Sequence, residues 1–274
     1  MDLPPQKVTN QEAEERARMP TGTSNILNAR SLEASHHRLA ELLQPGMHVL
    51  DVGCGTGAIT RGIAEAVGPD GKVTGVDINP DLIAQARTAH GELDNLTFVA
   101  SDLRKLDYRR TFDIVNSGRV IQWLARPLAA VRSMAAATRI GGLVLLLDYN
   151  HQKMECSPEP PGAFRLFYDQ FLLWRSDAGM ENDIADRMPA MLRQVGLTNV
   201  TTSPQHEIVR RTDPDFTQRA TLWADVAATR GFQMTADGYV TEDERSAAEA
   251  AIRLWATRDG EKQALYLMAS EGTV

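Results

Sequence analysis

Five short β-rich runs, His48–Val52, Lys72–Val76, Leu96–Ala100, Phe112–Asn116 and Leu143–Leu147, alternate with helix-period segments at 57–67, 80–90 and 127–138. Few folds accommodate that alternation. Strands separated by helices of this size join through right-handed crossovers into a parallel sheet. The runs VLDV and LVLLLD are apolar without interruption, as expected of strands covered on both faces. The punctuation agrees. Pro45-Gly46 ends an N-terminal helix, and Pro69-Asp70-Gly71 turns into the second strand. Asn79 is placed to cap a helix with Pro80 at its first position. Gly141-Gly142 is expected to break the helix ahead of the fifth strand.

The alternation stops after residue 149. Residues 150–163 are polar and Pro-rich, and an aromatic helix pattern follows with Phe164, Phe167, Tyr168, Phe171 and Trp174. Asp183–Val195 reads as a helix closed by Gly196, and 198–211 as an extended segment bent at Pro204. Asp213-Pro214 opens a helix with Phe216, Ala220, Trp223 and Ala227 on one face. Thr241 to Glu244 fits a capping box ahead of Ala248, Ile252 and Trp255. Residues 263–269 read as a last strand.

Composition narrows the class. The 274 residues carry a net charge of −7, with 43% hydrophobic and 24% charged residues. That is an ordinary globular balance, and the acidic sign weighs against a nucleic-acid partner. Two cysteines, Cys54 and Cys156, make neither a disulfide framework nor a paired-cysteine zinc site. The six histidines show no metal-ligand spacing, so no metal is expected. The first nineteen residues lack an apolar run and no stretch is long enough to span a bilayer; the expectation is a cytoplasmic protein without membrane partners.

The chemistry concentrates in Val49-Leu50-Asp51-Val52-Gly53-Cys54-Gly55-Thr56-Gly57, at a strand end that opens a helix. Glycines there let the backbone turn tightly and approach a ligand. Asp77 ends the next strand, where a carboxylate accepts bonds from both ribose hydroxyls. Gly53-x-Gly55-x-x-Ala58 also matches the loose dinucleotide fingerprint, so a nicotinamide cofactor is a rival. Asp51 discriminates: a carboxylate facing the loop mouth opposes a pyrophosphate and favours an ammonium and a sulfonium. S-adenosylmethionine has both. Asp102 is then placed for the adenine amine, the Leu103 amide for a ring nitrogen and Ile78 for the adenine face. Thr56 belongs to the loop, and the Ser117 and Gly118 carbonyls are placed for the methionine ammonium.

VLDVGCGTG, VTGVDINP, VASDLRKL, FDIVNSGRVIQWL and GGLVLLLD, in that order over about 47–149, resemble the class I S-adenosylmethionine-dependent methyltransferases, in particular the bacterial small-molecule and quinone-type enzymes. The resemblance implies a Rossmann-like, seven-stranded, mostly parallel sheet with helices on both faces and an antiparallel last strand. Residues 198–211 supply its sixth strand and 263–269 its seventh. It matches Asp51, Gly53, Gly55, Asp77, Ile78, Asp102, Leu103, Ser117 and Gly118 to cofactor-contacting positions. Relatives often carry His where this chain has Gln122, so that position holds no base here. The expected organisation is one domain: a helical lid at 1–46, a cofactor core at 47–149, and cap insertions at 151–182 and 212–261.

Methyl transfer from an activated donor demands alignment and exclusion of water more than acid–base chemistry. The acceptor is read as a small, partly hydrophobic or aromatic metabolite methylated on N, O or C. His151, just past the fifth strand, is the first candidate for base or orienter, followed by Tyr149 and Tyr168. Cys54 reads as small-residue packing, His36-His37 as solvated or packed, and Glu12–Arg18 as a solvated helix face. The aromatic stripe at 164–174 either lines a pocket or packs on the sheet. The rivals are a nicotinamide-dependent oxidoreductase, a cofactor-binding protein without turnover, and an S-adenosylmethionine enzyme doing non-methyl chemistry.

Overall fold

The computed structural model describes residues 7–20 and 27–274; of the expected lid, 1–6 and 21–26 lie outside them. The N-terminal part holds α1 (Asn10–Ala17), α2 (Leu32–Ser35) and α3 (His37–Leu42). The alternation follows: β1 (His48–Val52), α4 (Ala58–Val67), β2 (Lys72–Asp77), α5 (Pro80–His90), β3 (Leu96–Ala100), β4 (Phe112–Gly118), α6 (Pro127–Ala137) and β5 (Thr138–Ser157). Then come α7 (Gly162–Asp177), α8 (Ile184–Gln194), β6 (Thr198–Pro204), β7 (Glu207–Arg210), α9 (Phe216–Ala220), α10 (Leu222–Ala227), α11 (Arg230–Ala236), α12 (Glu242–Arg258) and β8 (Lys262–Thr273).

The sheet order is β3-β2-β1-β4-β5-β8-β6, with β7 also on β8. Neighbours among β1 to β5 pair in parallel, and β8 runs antiparallel to β5, β6 and β7. The architecture is the expected one with eight strands in place of seven. The extended segment 198–211 is divided at Gln205-His206 into β6 and β7, which pair with different stretches of β8.

Residues that alternate along a strand serve opposite layers. Val49, Ile114 and Leu145 pack beneath α2–α5, whereas Leu50, Val115 and Val144 pack against α6 and α8. Asn79 caps α5 through its side chain, with Pro80 in the first turn, and Thr241 with Glu244 forms the capping box of α12.

Four expectations need correction. Gly141-Gly142 does not precede β5 but lies inside it. The partner of Phe112 is Thr138 and that of Ile114 is Leu143, so the glycines belong to a bulge in the β4–β5 ladder. Residues 151–157 are no insertion. β5 runs on to Ser157, and Glu155 to Ser157 pair with Ala264 to Lys262. The aromatic stripe of α7 does not pack on the sheet: Phe164, Phe167, Phe171 and Trp174 join Phe216, Trp223, Ile252 and Trp255 in a separate core within the cap. Nor is α1 solvated all round, since Arg16 is buried, 2.9 Å from Asp237 and bonded to the Trp174 carbonyl.

Candidate functional site

The C-terminal ends of β1, β2, β4 and β5 meet at one edge of the sheet, where ligands of open α/β folds bind. The glycine loop is set by its backbone. The Gly53 and Cys54 amides both donate to the Val76 carbonyl, tying the loop to β2. Gly53 has φ +78°, and a Cβ there would lie 2.3 Å from Val120 Cγ2. Only glycine satisfies both conditions.

Asp77 stands at the end of β2. One of its oxygens accepts from the Gly55 amide at 2.9 Å and the other from the Asn79 amide at 2.9 Å. Its carboxyl is raised above the ordinary range because it is buried. Ile78 beside it is 57% exposed, an apolar surface left uncovered at the site edge. The Thr56 hydroxyl is buried without a hydrogen-bond partner among the described residues. Helix α4 begins at Gly57 without a side-chain cap, so its positive end faces the loop. An apolar face, a ribose-height carboxylate, an orphan hydroxyl and an uncapped helix start suit a nucleoside bearing an amino-acid tail.

Asp51 departs from expectation. It is 5% exposed and turned inward, one oxygen accepting from the Thr60 hydroxyl at 2.7 Å and the other from the Asn116 side-chain amide at 2.9 Å. The Asn116 carbonyl oxygen lies 2.8 Å from His36 Nε2, while His36 Nδ1 accepts from the Leu39 amide. The chain His36–Asn116–Asp51–Thr60 thus links the N-terminal helices to the glycine loop. His36 is wholly buried rather than solvated, and burial, then the Arg119 charge, holds its imidazole down to about 3. Asp102 caps the turn at Leu103–Lys105 and pairs with Arg104, which holds its carboxyl low. Ser117 donates to the Val52 carbonyl, and Gly118 lies against His36. The Cys54 thiol is pushed far up by burial and the two nearby aspartates, as suits packing.

Past Gly118 the site changes character. A cavity of about 130 Å³ opens between β5 and the cap. Its aromatic wall is Trp123, Tyr149, His151, Tyr168, Phe171 and Trp223. His151 Nε2 lies 2.6 Å from Gln122 Oε1, and the Gln122 amide nitrogen donates to the Arg119 carbonyl. That network assigns the imidazole proton to Nε2 and the lone pair to Nδ1. Burial and Arg175 hold His151 well below its ordinary range, so it is neutral. Tyr168 donates to the His151 carbonyl at 2.6 Å, fixing β5 against α7. Tyr149 accepts from Arg119 and donates to Glu207 at 3.0 Å. The three expected residues therefore do converge on one cavity, with both tyrosine hydroxyls already engaged.

Sequence reasoning singled out Asp148, at the end of the fifth strand with Tyr149, but missed the arginines. Arg119, Arg175 and Arg230 are buried around this cavity, as is Asp148, whose carboxyl burial pushes up to about 7. No periodic pattern announces them. Their common signal is an arginine beside an aromatic: Arg230 lies 3.7 Å and Arg175 4.5 Å from the Trp123 ring centre. Among the described residues no helix is long and apolar enough to cross a membrane.

Residues 43–191 match a protein family described as "Methyltransferase domain". The demethylmenaquinone methyltransferase of Halalkalibacterium halodurans is 28% identical over 177 residues, 59% of this chain and 72% of that protein. The enzyme of that name from Staphylococcus aureus strain JH9 is 31% identical over 107 residues, 39% of this chain and 44% of the other, so the chain matches under half of that relative's length. Phosphoethanolamine N-methyltransferase 2 of Haemonchus contortus, solved with phosphomonomethylethanolamine and S-adenosylhomocysteine, shares the fold at TM-score 0.55, 16% identity, 96% of this chain and 56% of that one. With the glycine loop, Asp77 and the sheet order in place, the chain belongs to the class I S-adenosylmethionine-dependent methyltransferases.

Proposed function

We propose that this enzyme moves the sulfonium methyl of S-adenosylmethionine to N, O or C of a small, partly hydrophobic, aromatic metabolite seated in the cavity between β5 and the cap. The observation that carries this reading is the aromatic lining of that cavity, whose wall also includes Arg119, the residue after Gly118 at the end of β4. Offset and edge-on ring contacts with a planar acceptor suit such a lining. The relatives named demethylmenaquinone methyltransferases agree with a ring-bearing acceptor. The net charge of −7 disfavours a nucleic acid. The cytoplasm is the proposed setting.

On this reading Asp77 holds the ribose, Ile78, Asp102 and Leu103 the adenine, and Gly53, Gly55, Thr56, Ser117 and Gly118 the amino-acid end. Asp51 acts at one remove, holding the loop through Thr60 and Asn116. The cofactor supplies an already activated methyl group. The protein's own contribution is alignment and dryness: Trp223, Phe171 and Tyr149 surround the His151 ring, with centroids 6.0, 5.8 and 5.5 Å away. A neutral imidazole of such low basicity orients an acceptor, or takes a proton only from an acidic hydroxyl. Gln122 then serves as the hydrogen-bond partner that fixes the His151 tautomer.

Calorimetry with S-adenosylmethionine and NAD separately, then mass spectrometry with a panel of hydroxylated aromatic acids and their neutral counterparts, tests the proposal. A product heavier by one methylene, formed together with S-adenosylhomocysteine, is expected. NAD-only binding, or cofactor turnover without a methylated product, would sink it.

A further inference from the structure

The acceptor cavity carries more positive charge than its own acids neutralise. Arg119 and Arg230 line it together with Arg30. Arg119 is 6% exposed, Arg230 5% and Arg175, just behind Gln122 and Trp123, 0%. The acids facing them are Glu207, which pairs with Arg119, and Asp148, held between the Gln122 and Tyr149 amides. Burial also raises the Asp148 carboxyl to about 7, which weakens its share of the neutralisation. Among the described residues Arg175 and Arg230 make no carboxylate pair: they donate to the carbonyls of Gln122, Arg16 and Arg18 and to the Asn182 side chain. Burial pulls their charged forms down to about 10 and about 9.

Two of these cations are also left with a free donor among the described residues. Arg119 gives its Nε to Tyr149 and its Nη2 to Ser35 and Glu207, but Nη1 is buried with no partner among the described residues. Arg175 Nη1 is in the same condition. A buried guanidinium donor without an acceptor carries an uncompensated desolvation cost, which an acceptor oxygen brought by a ligand would remove.

We propose that the acceptor bears a carboxylate beside its apolar ring, and that Arg119 Nη1 recognises it, with Arg175 and Arg230 supplying the surrounding positive field. A carboxylate presents two acceptor oxygens, and its charge offsets the cavity's surplus cation. A neutral acceptor of the same shape leaves both deficits in place. The inference rests on the aromatic-acceptor reading above and narrows it to aromatic acids.

The test is equilibrium binding with S-adenosylhomocysteine present, using benzoate, phenylacetate and 3-phenylpropionate, each against its primary amide. At least one carboxylate is expected to bind about ten-fold or more tightly than its amide, the equivalent of one charge-assisted bond. In Arg119→Gln that preference is expected to shrink to about three-fold or less, while Arg119→Lys keeps part of it. Thermal unfolding confirms that each variant is folded, and the ranking in the unmodified protein decides the charge question even if a variant is not. Amides binding as well as carboxylates overturns the carboxylate proposal and leaves the aromatic acceptor standing. A preference that persists in folded Arg119→Gln removes Arg119 from the role. Failure of all six probes to bind overturns both readings together.

Discussion

The two halves of the site are built from different materials. The half proposed to hold the cofactor is backbone: Gly53, Gly55 and Gly57 with positive φ, amides donating to the Val76 carbonyl and to Asp77, and a helix start without a cap. The half proposed to hold the acceptor is side chain: a shell of aromatic rings threaded by Arg119, Arg175 and Arg230. Backbone sites are set by a local run of residues and tolerate little change. Side-chain sites draw on widely separated segments and vary without disturbing the fold. The same molecule thus fixes its donor and leaves its acceptor adjustable.

Substitutions in each half either separate or merge the two. Trp255→Ala empties the cap core and is expected to cost about 3–5 kcal/mol in urea unfolding, with cofactor affinity little changed. A parallel collapse of cofactor binding would show that cap and loop form one unit. Gly53→Ala is expected to cost about 2–4 kcal/mol, combining a left-handed conformation with overpacking against Val120. Its damage should fall on cofactor affinity first. Asp77→Ala is expected to weaken S-adenosylhomocysteine about ten- to hundred-fold by calorimetry, the value of one or two charged hydrogen bonds. An unchanged affinity in folded protein removes the ribose assignment.

The halves also differ in their response to acid. His36, on the cofactor side, is held at about 3 against an ordinary 6.5. Its neutral form is the folded one, so its stability contribution is present above 6.5 and lost as pH falls toward 3. Asp148, on the acceptor side, is raised to about 7 from 3.8. Its contribution is full below its unfolded value and lost as pH rises through 7. Both effects fall in one window, about pH 4 to 7, with opposite slopes, so in urea midpoints His36→Gln removes a rise of stability with pH and Asp148→Asn removes a fall. Slopes that change in the same sense in both variants break the comparison. The smallest effect is expected for Tyr168→Phe, about 1 kcal/mol for the lost bond to the His151 carbonyl.

What the sequence made legible follows the same division. The strand–glycine–helix order, Asn79 with Pro80, and the Thr241 capping box are short-range patterns, and each is found where those patterns put it. The edge carboxylate Asp77 is likewise local. Long-range packing was not legible. Nothing near Asp51 in the chain reveals that Thr60 and Asn116 take up both its oxygens. The bulge at Gly141-Gly142 depends on register with β4, and the length of β5 on pairing with β8, more than a hundred residues later. Arg175 and Arg230 are ordinary surface-type residues until the cap folds them onto Trp123.

The last segment of the cap leaves and re-enters the sheet at a single place. Arg210 of β7 pairs with Lys262 of β8, and the Arg211 amide donates to the Glu261 carbonyl. Residues 211–261 therefore hang from two ends that already sit one strand spacing apart. An exchangeable module has this geometry. Loop closure adds only about 0.6 kcal/mol for each doubling of its length, so what constrains a replacement is the core that Phe216, Trp223, Ile252 and Trp255 share with α7, rather than the β5–β8 register or the glycine loop. Descendants of such a chain can trade one acceptor for another by swapping that piece while inheriting the methyl donor unchanged.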